Sequence, residues 1–189
     1  MRIIAGKFKG TSLITPNDKS IRPLKDMVRE NVFNLLAHSK KIKFKFEKSN
    51  ILDLFSGTGS FGLECLSRQT GKVLFIEKEI KAITILKKNI SKLKMEKKTK
   101  IIANDIVTWV KKNEILDSKF DLIFCDPPFK MIKIEKLIEL IFNKKILKND
   151  GILVLHRHKN TIDKFSFQFK IIEERIYGLS KIIFIKFLS

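Results

Sequence analysis

Two short strings carry residue types that could do chemistry. Ile51 to Glu64 reads ILDLFSGTGSFGLE, and within it GTGSFG, from Gly57 to Gly62, fits G-x-G-x-x-G. A glycine-rich turn between an apolar strand and a helix lets backbone N–H groups approach a ligand closely and places the positive end of the helix beside it. That much suits a dinucleotide or another adenosine-containing ligand. Asp53, at the end of the strand, tilts the choice: a carboxylate there repels a pyrophosphate and attracts the ammonium and sulfonium groups of S-adenosylmethionine. The alternative role open to Asp53 is to brace the turn.

The second string is FDLIFCDPPF. Asp126, Pro127, Pro128 and Phe129 fall beyond the carboxyl end of an apolar strand, where open α/β sheets bind their ligands. The two prolines fix the backbone and remove two N–H donors, leaving the Asp126 carboxylate and nearby carbonyls as acceptors. Such a corner suits an exocyclic amine, and the ring of Phe129 can stack on a base. Read alone, the string also fits a proline turn capped by Asp126 with Phe129 in the core. Paired with the glycine loop, it points to methyl transfer onto the amine of a base.

These strings need a scaffold, and the chain from Asn50 onward supplies one. Apolar runs alternate with amphipathic segments: ILDLF then SFGLECLSR, KVLFIE then EIKAITILKKNISKL, KIIAND then IVTWVKKN, FDLIFCD then KIEKLIELIFNKKIL, and finally GILVLH. In the second helix Ile83, Leu86, Ile90 and Leu93 recur at helical spacing. The pattern predicts an α/β fold with a mostly parallel, doubly wound sheet. FSFQFKIIEERIY and KIIFIKFL flank a turn at Gly178 and predict an antiparallel C-terminal hairpin at the sheet edge. Ahead of the core, RIIAGKFKGTSLI reads as a short basic β-hairpin. IRPLKDMVRENVFNLLAHS reads as a helix with Leu24, Val28, Val32, Leu35 and Leu36 on one stripe and Arg22, Lys25 and Arg29 facing elsewhere. The division expected is residues 1–40 as an appended basic hairpin and helix, and residues 41–189 as the catalytic domain. Removal of residues 1–14 should then leave cofactor binding intact.

The 189 residues suffice for one well-buried domain, and 44% hydrophobic content argues against disorder. Lys and Arg number 39 against 20 Asp and Glu, a net charge of +19, which is the balance of a protein that meets polyanions, with nucleic acid the leading class. Runs such as KKIKFKFEK read as solvated connectors. No apolar run approaches a membrane span and the N-terminus lacks a signal-peptide block, so the expectation is a cytoplasmic protein with no membrane partner. Cys65 and Cys125 form no C-x-x-C pair and suit small buried residues. His156 and His158 stand two apart with no third ligand nearby. They read as residues near RNA or in solvent, and no metal is expected.

Taken together, RIIAGKFKG, RPLKDMVRENVFNLL, DLFSGTGSFGLECLSR and DPPF resemble the RsmD family, bacterial methyltransferases acting on guanine N2 in 16S ribosomal RNA, and the likeness spans nearly the whole chain. It implies a Rossmann-like class I methyltransferase fold and S-adenosylmethionine as cofactor. The implied substrate is 16S ribosomal RNA within a small-subunit particle, and the enzyme is expected to be a monomer. Position by position, it implies that Asp53, Gly57 and Gly59 shape the methionine end of the cofactor site with Phe61 beside it. Glu77 would accept from the ribose hydroxyls, and Asn104 and Asp105 would neighbour the adenine, although Asp105 is also a good helix N-cap. Asp126, Pro127, Pro128 and Phe129 would hold the base, and Arg2, Lys7, Lys9, Arg22 and Arg29 would contact RNA. The fifth strand ends LVLHRHKN where many members of the family carry an acid, so no role carries over to His156. Competing activities are a DNA adenine methyltransferase, a nicotinamide-dependent oxidoreductase and a noncatalytic RNA-binding protein.

Overall fold

A computed structural model describes residues 1–16, 26–112, 119–128, 131 and 133–188. Its strands are β1 (Asn50–Leu54), β2 (Lys72–Glu77), β3 (Thr99–Ala103), β4 (Phe120–Cys125), β5 (Leu147–His158), β6 (Phe169–Tyr177) and β7 (Ser180–Phe187). Its helices are α1 (Asp26–His38), α2 (Ser60–Ser67), α3 (Ile80–Lys92), α4 (Ile106–Lys112) and α5 (Ile134–Asn143). The strands form one sheet in the order β3-β2-β1-β4-β5-β7-β6. β3, β2, β1, β4 and β5 pair in parallel, whereas β7 is antiparallel to both β5 and β6. This is the class I methyltransferase architecture expected, with one refinement: the last strand inserts between β5 and β6, so that β6 forms the edge.

The short strands are apolar along their length because helices cover both faces. Ile51, Phe124, Val154 and Phe184 point to the layer that holds α1, α2 and α3, while Leu52, Ile123, Leu155 and Ile185 point to the layer of α4 and α5. On α3 the spaced set Ile83, Leu86, Ile90 and Leu93 is buried as its period requires. Both cysteines are buried and free, and burial pushes both thiols up, away from reactivity. Among the described residues, no helix is long and apolar enough to cross a membrane.

The N-terminal segment packs against the core. Its short hairpin, with one bridge from Arg2 to Ser12 and backbone hydrogen bonds from Ile3 to Thr11, Gly10 to Ile3 and Leu13 to Met1, is bound to the core as well. Ile3 and Leu13 are buried in the same cluster as α1 and α2. Glu64 of α2, fully buried, accepts the N–H groups of Ile4 at 2.7 Å and Ala5 at 3.0 Å. Asn89 of α3, also fully buried, accepts from the Ile14 N–H at 2.7 Å and donates to the Ile14 carbonyl at 3.1 Å. Buried polar groups need partners, and here the partners of two helices are the backbone of residues 4–14. The packing of α1, through Val28, Val32 and Leu36, continues into Ile42 without a break at residue 40.

Candidate active site

The carboxyl ends of β1 and β4 lie side by side where the chain reverses its direction of winding, and the two strings meet there. β1 leads into the turn at Gly57, whose N–H donates to Glu77 Oε2 at 2.7 Å. Glu77, at the end of β2, also accepts through Oε1 from the N–H groups of Lys78 (2.8 Å) and Glu79 (3.0 Å). Gly59 precedes α2 with φ 84°, the left-handed region, and a Cβ there would stand 2.2 Å from Leu86 Cδ1. Both facts demand glycine. The third glycine of the motif, Gly62, serves packing: a Cβ on it would lie 2.4 Å from the ring of Phe75. Asn89 reaches the same loop by donating to the Thr58 carbonyl at 3.1 Å.

Asp53 is 1% exposed and its Oδ2 accepts the Gly62 N–H at 3.0 Å, so it does brace the turn. Its carboxyl is raised well above the usual carboxylate range, first by burial and then by the charges of Asp126 and Glu77, against the Gly62 hydrogen bond. Three acids on three neighbouring strands thus bear on one point.

Beyond β4, Asp126 Oδ1 lies 2.7 Å from Nδ1 of His156 on β5. A contact this short between a ring nitrogen and a carboxylate oxygen has the proton between them, with Nδ1–H donating. Pro127 is buried and Pro128 exposed. The Pro128 carbonyl accepts the Met131 N–H at 2.8 Å. The next residue of β5, Arg157, is buried, pairs with Asp163 at 3.1 Å and donates to the Met131 carbonyl at 3.0 Å. β5 therefore supports the proline corner at two points.

The other expected residues scatter. Phe61 points away from the crevice into the core, stacked on Phe124 with centroids 3.8 Å apart, so it carries the sheet contact of α2 rather than lining a ligand site. Asn104 is partly exposed and its N–H bonds the Glu77 carbonyl at 3.0 Å. Asp105 Oδ1 accepts the Thr108 N–H at 3.0 Å, which makes it the N-cap of α4. Arg2, Lys7 and Lys9 are exposed, but Lys7 bonds through its N–H to the carbonyl of Ser67, the far end of α2 from Gly59. They do not converge on the crevice. Arg29 corrects its expectation: its side chain is fully buried, paired with Asp26 at 3.0 Å and donating to the Arg2 carbonyl, and it cannot present charge to RNA from there. His156 is likewise buried, not in solvent. Phe129 and Arg22 lie outside the described residues. Among the described residues, no group of three or more His, Cys, Asp and Glu could hold a metal.

The family model for conserved hypothetical protein 95 matches residues 1–186. The chain belongs to that family, the RsmD family. It is 36% identical over 164 residues to the ribosomal RNA small subunit methyltransferase D of Buchnera aphidicola (subsp. Baizongia pistaciae), covering 87% of this chain and 79% of that one. To the protein of the same name in Haemophilus influenzae it is 34% identical over 160 residues, 85% of this chain and 80% of the relative. The solved structure of the Haemophilus influenzae protein HI0767 superposes with a TM-score of 0.79 at 29% identity, covering 100% of this chain and 98% of that one.

Sequence reasoning passed over Glu64, Asn89 and Arg157 and gave His156 no role in this RsmD-family chain. Glu64 and Asn89 each carry a polar side chain on an otherwise apolar helix face, which is the signal that could have exposed them. Asn89 falls between Leu86 and Ile90, and Glu64 between Leu63 and Cys65. Arg157 and His156 sit on an apolar central strand, where a basic residue needs a buried partner. No such signal names Asp126 as the partner of His156, because strand neighbours are far apart in the chain.

Proposed function

We propose that this chain transfers the methyl group of S-adenosylmethionine to the exocyclic N2 of a guanine in small-subunit (16S) ribosomal RNA. The observation that carries this reading is the convergence of Asp53, Glu77 and Asp126 around the Gly57 turn. A pyrophosphate would be repelled by this acidic wall, whereas a sulfonium and an ammonium would be attracted by it and would favour the ionised form of Asp53. The residues therefore fit S-adenosylmethionine, which supplies an electrophilic methyl on sulfur. Glu77 already fixes the Gly57 turn and keeps lone pairs for ribose hydroxyls. Asn104, beside Glu77 through its backbone, borders the adenine end, and Asp105 adds little beyond its cap.

At the reacting end, Asp126 accepts from the N–H groups of the attacking amine and the Pro127 carbonyl offers a second acceptor. These contacts aim the nitrogen lone pair, which otherwise delocalises into the ring. A base must leave its stack to reach this corner, and Phe129 is assigned the stacking surface. His156 supports Asp126 by occupying Oδ1, which leaves Oδ2 for the amine. Catalysis is thus mostly positioning. The RNA assignment draws on the family, whose curated members are named as small-subunit ribosomal RNA methyltransferases.

The test is nucleoside mass spectrometry on small-subunit RNA from cells with and without the gene, with labelled cofactor in a reconstituted reaction. One N2-methylguanosine should appear only with the protein. Label in N6-methyladenine instead, or calorimetric NAD affinity equal to that for S-adenosylhomocysteine, refutes the reading.

A further inference from the structure

We propose that the groove between α1 and the edge strand β6 is a second RNA-contact surface, which takes the single strand flanking the target nucleotide. The groove is open to solvent with a volume of about 720 Å³, and its walls include Asn34, His38, Lys40, Lys41, Arg175 and Tyr177. Three observations favour this occupant.

The first is register. Cys125 pairs with Leu155, so Asp126 follows beside His156, as their 2.7 Å contact shows. His156 pairs with Ile182, and Ile182 with Arg175. Asp126, His156 and Arg175 therefore lie in one row across the sheet, and Arg175 is on the same face as α1. Three strand spacings separate the ends of the row, about 14 Å. A strand whose base enters the crevice has the groove on its path.

The second is charge. Lys40, Lys41 and Arg175 are exposed. The carboxylate of Glu173, 7% exposed at the groove floor, lies 3.4 Å from Lys41 Nζ and 2.7 Å from an Arg175 guanidinium nitrogen. It holds two cationic heads in place and leaves the lining net positive, a fixed arrangement for phosphates rather than a solvated run. The third is the ring of Tyr177, partly buried against the core and so held in position, whose hydroxyl burial pushes up and keeps neutral. With Asn34 on the opposite wall, the groove offers cations, an amide and an aromatic face together, the set that single-stranded RNA engages. Residues 40–48, a connector by composition, become part of a site only because β6 folds back beside them.

The proposal rests on RNA as substrate and not on which base is methylated. It is tested with K40A/K41A/R175Q, in which the glutamine still donates to Glu173, against K87A/K88A/K97A, which removes equal charge from the exposed side of α3 and the turn after it. The groove variant should bind a small-subunit RNA fragment about tenfold more weakly near physiological salt. Its plot of log Kd against log salt should be shallower by about 2, from three lost single-strand phosphate contacts. The control should change by less than about threefold, since charges beyond a screening length contribute little. S-adenosylhomocysteine affinity should hold in both. Tyr177→Ala should weaken RNA binding about fivefold, and Tyr177→Phe should not. Should the triple variant fail to fold, Lys40→Glu, a reversal at an exposed position, must give the same direction. Equal RNA affinity in groove and control variants overturns the proposal. So does normal affinity for naked RNA with weakened binding of small-subunit particles, which would assign the groove to a protein. Nucleoside analysis of the wild-type product reads the methylated base separately, so an error there leaves the groove result intact.

Discussion

If His156 aims Asp126, breaking their contact should slow the chemical step without touching cofactor affinity. The structure supplies the magnitude. The two groups meet at 2.7 Å with His156 7% and Asp126 23% exposed by side chain, so the contact is a largely sheltered hydrogen bond to a charged group, worth about 1.5–3 kcal/mol. That range corresponds to roughly a tenfold to hundredfold change in rate if all of it is expressed in the transition state. His156→Ala should therefore cut single-turnover methylation of small-subunit particles by about that factor, and Asp126→Ala by about a hundredfold or more, as when one preorganised transition-state contact is lost. The double variant should be scarcely slower than Asp126→Ala, because His156 acts only through Asp126. His156→Asn places an N–H near the position of Nδ1 and should recover much of the loss. The assay is rapid-quench transfer of labelled methyl, with calorimetry for S-adenosylhomocysteine and a thermal melt to verify folding. Additive losses in the double variant, or His156→Asn no faster than His156→Ala, refute the positioning role. An Asp126→Ala variant at the wild-type rate refutes the amine-binding corner itself.

Asp53 yields a prediction with a pH signature. Its carboxyl is raised by burial and neighbouring acids, so the native state holds its proton more tightly than the unfolded chain, and the associated stability is present at low pH and lost as pH rises through the native value. Asp53→Asn should keep the Gly62 hydrogen bond, flatten that dependence, raise the melting temperature of the ligand-free protein near neutral pH and weaken S-adenosylmethionine binding. An unchanged stability profile from pH 4 to 8 would count against the buried charge. Gly59→Ala should destabilise by about 2–4 kcal/mol, combining a left-handed non-glycine residue with overpacking against Leu86, and a melt within a degree of wild type would contradict the packing seen at α3. Deleting residues 1–14 strips partners from buried Glu64 and Asn89, takes Ile3 and Leu13 out of the core cluster and loosens Asn89, which also holds the Thr58 loop. Cofactor affinity should therefore fall along with stability, and a truncated protein that melts and binds normally would restore the arm as a detachable piece.

The sequence alone determined the succession of strands and helices, because period and length are local: the 3.6-residue spacing on α3 and the short apolar runs of the strands are properties of neighbouring residues. It also determined the glycine turn, since the left-handed φ of Gly59 belongs to the turn itself, and the N-cap role of Asp105, which bonds three residues ahead. The placement of Asp126 and its two prolines at a crevice followed from the rule that parallel strands present their carboxyl ends together. What only the tertiary structure decided is every role that depends on a distant partner. Arg29 has the composition of a phosphate contact and the position of a buried strut, because the Arg2 carbonyl reaches it only after the N-terminal segment docks. The family resemblance implies a ligand-lining Phe61, yet the register of β4 sets Phe124 under it. His156 gains Asp126 where β5 pairs with β4, and Lys41 gains Glu173 where the turn after α1 meets β6, across 30 and 132 residues of chain. A hydrogen bond or an ion pair depends on separation in space, whereas local pattern records only separation along the chain, and the sheet is what converts one into the other.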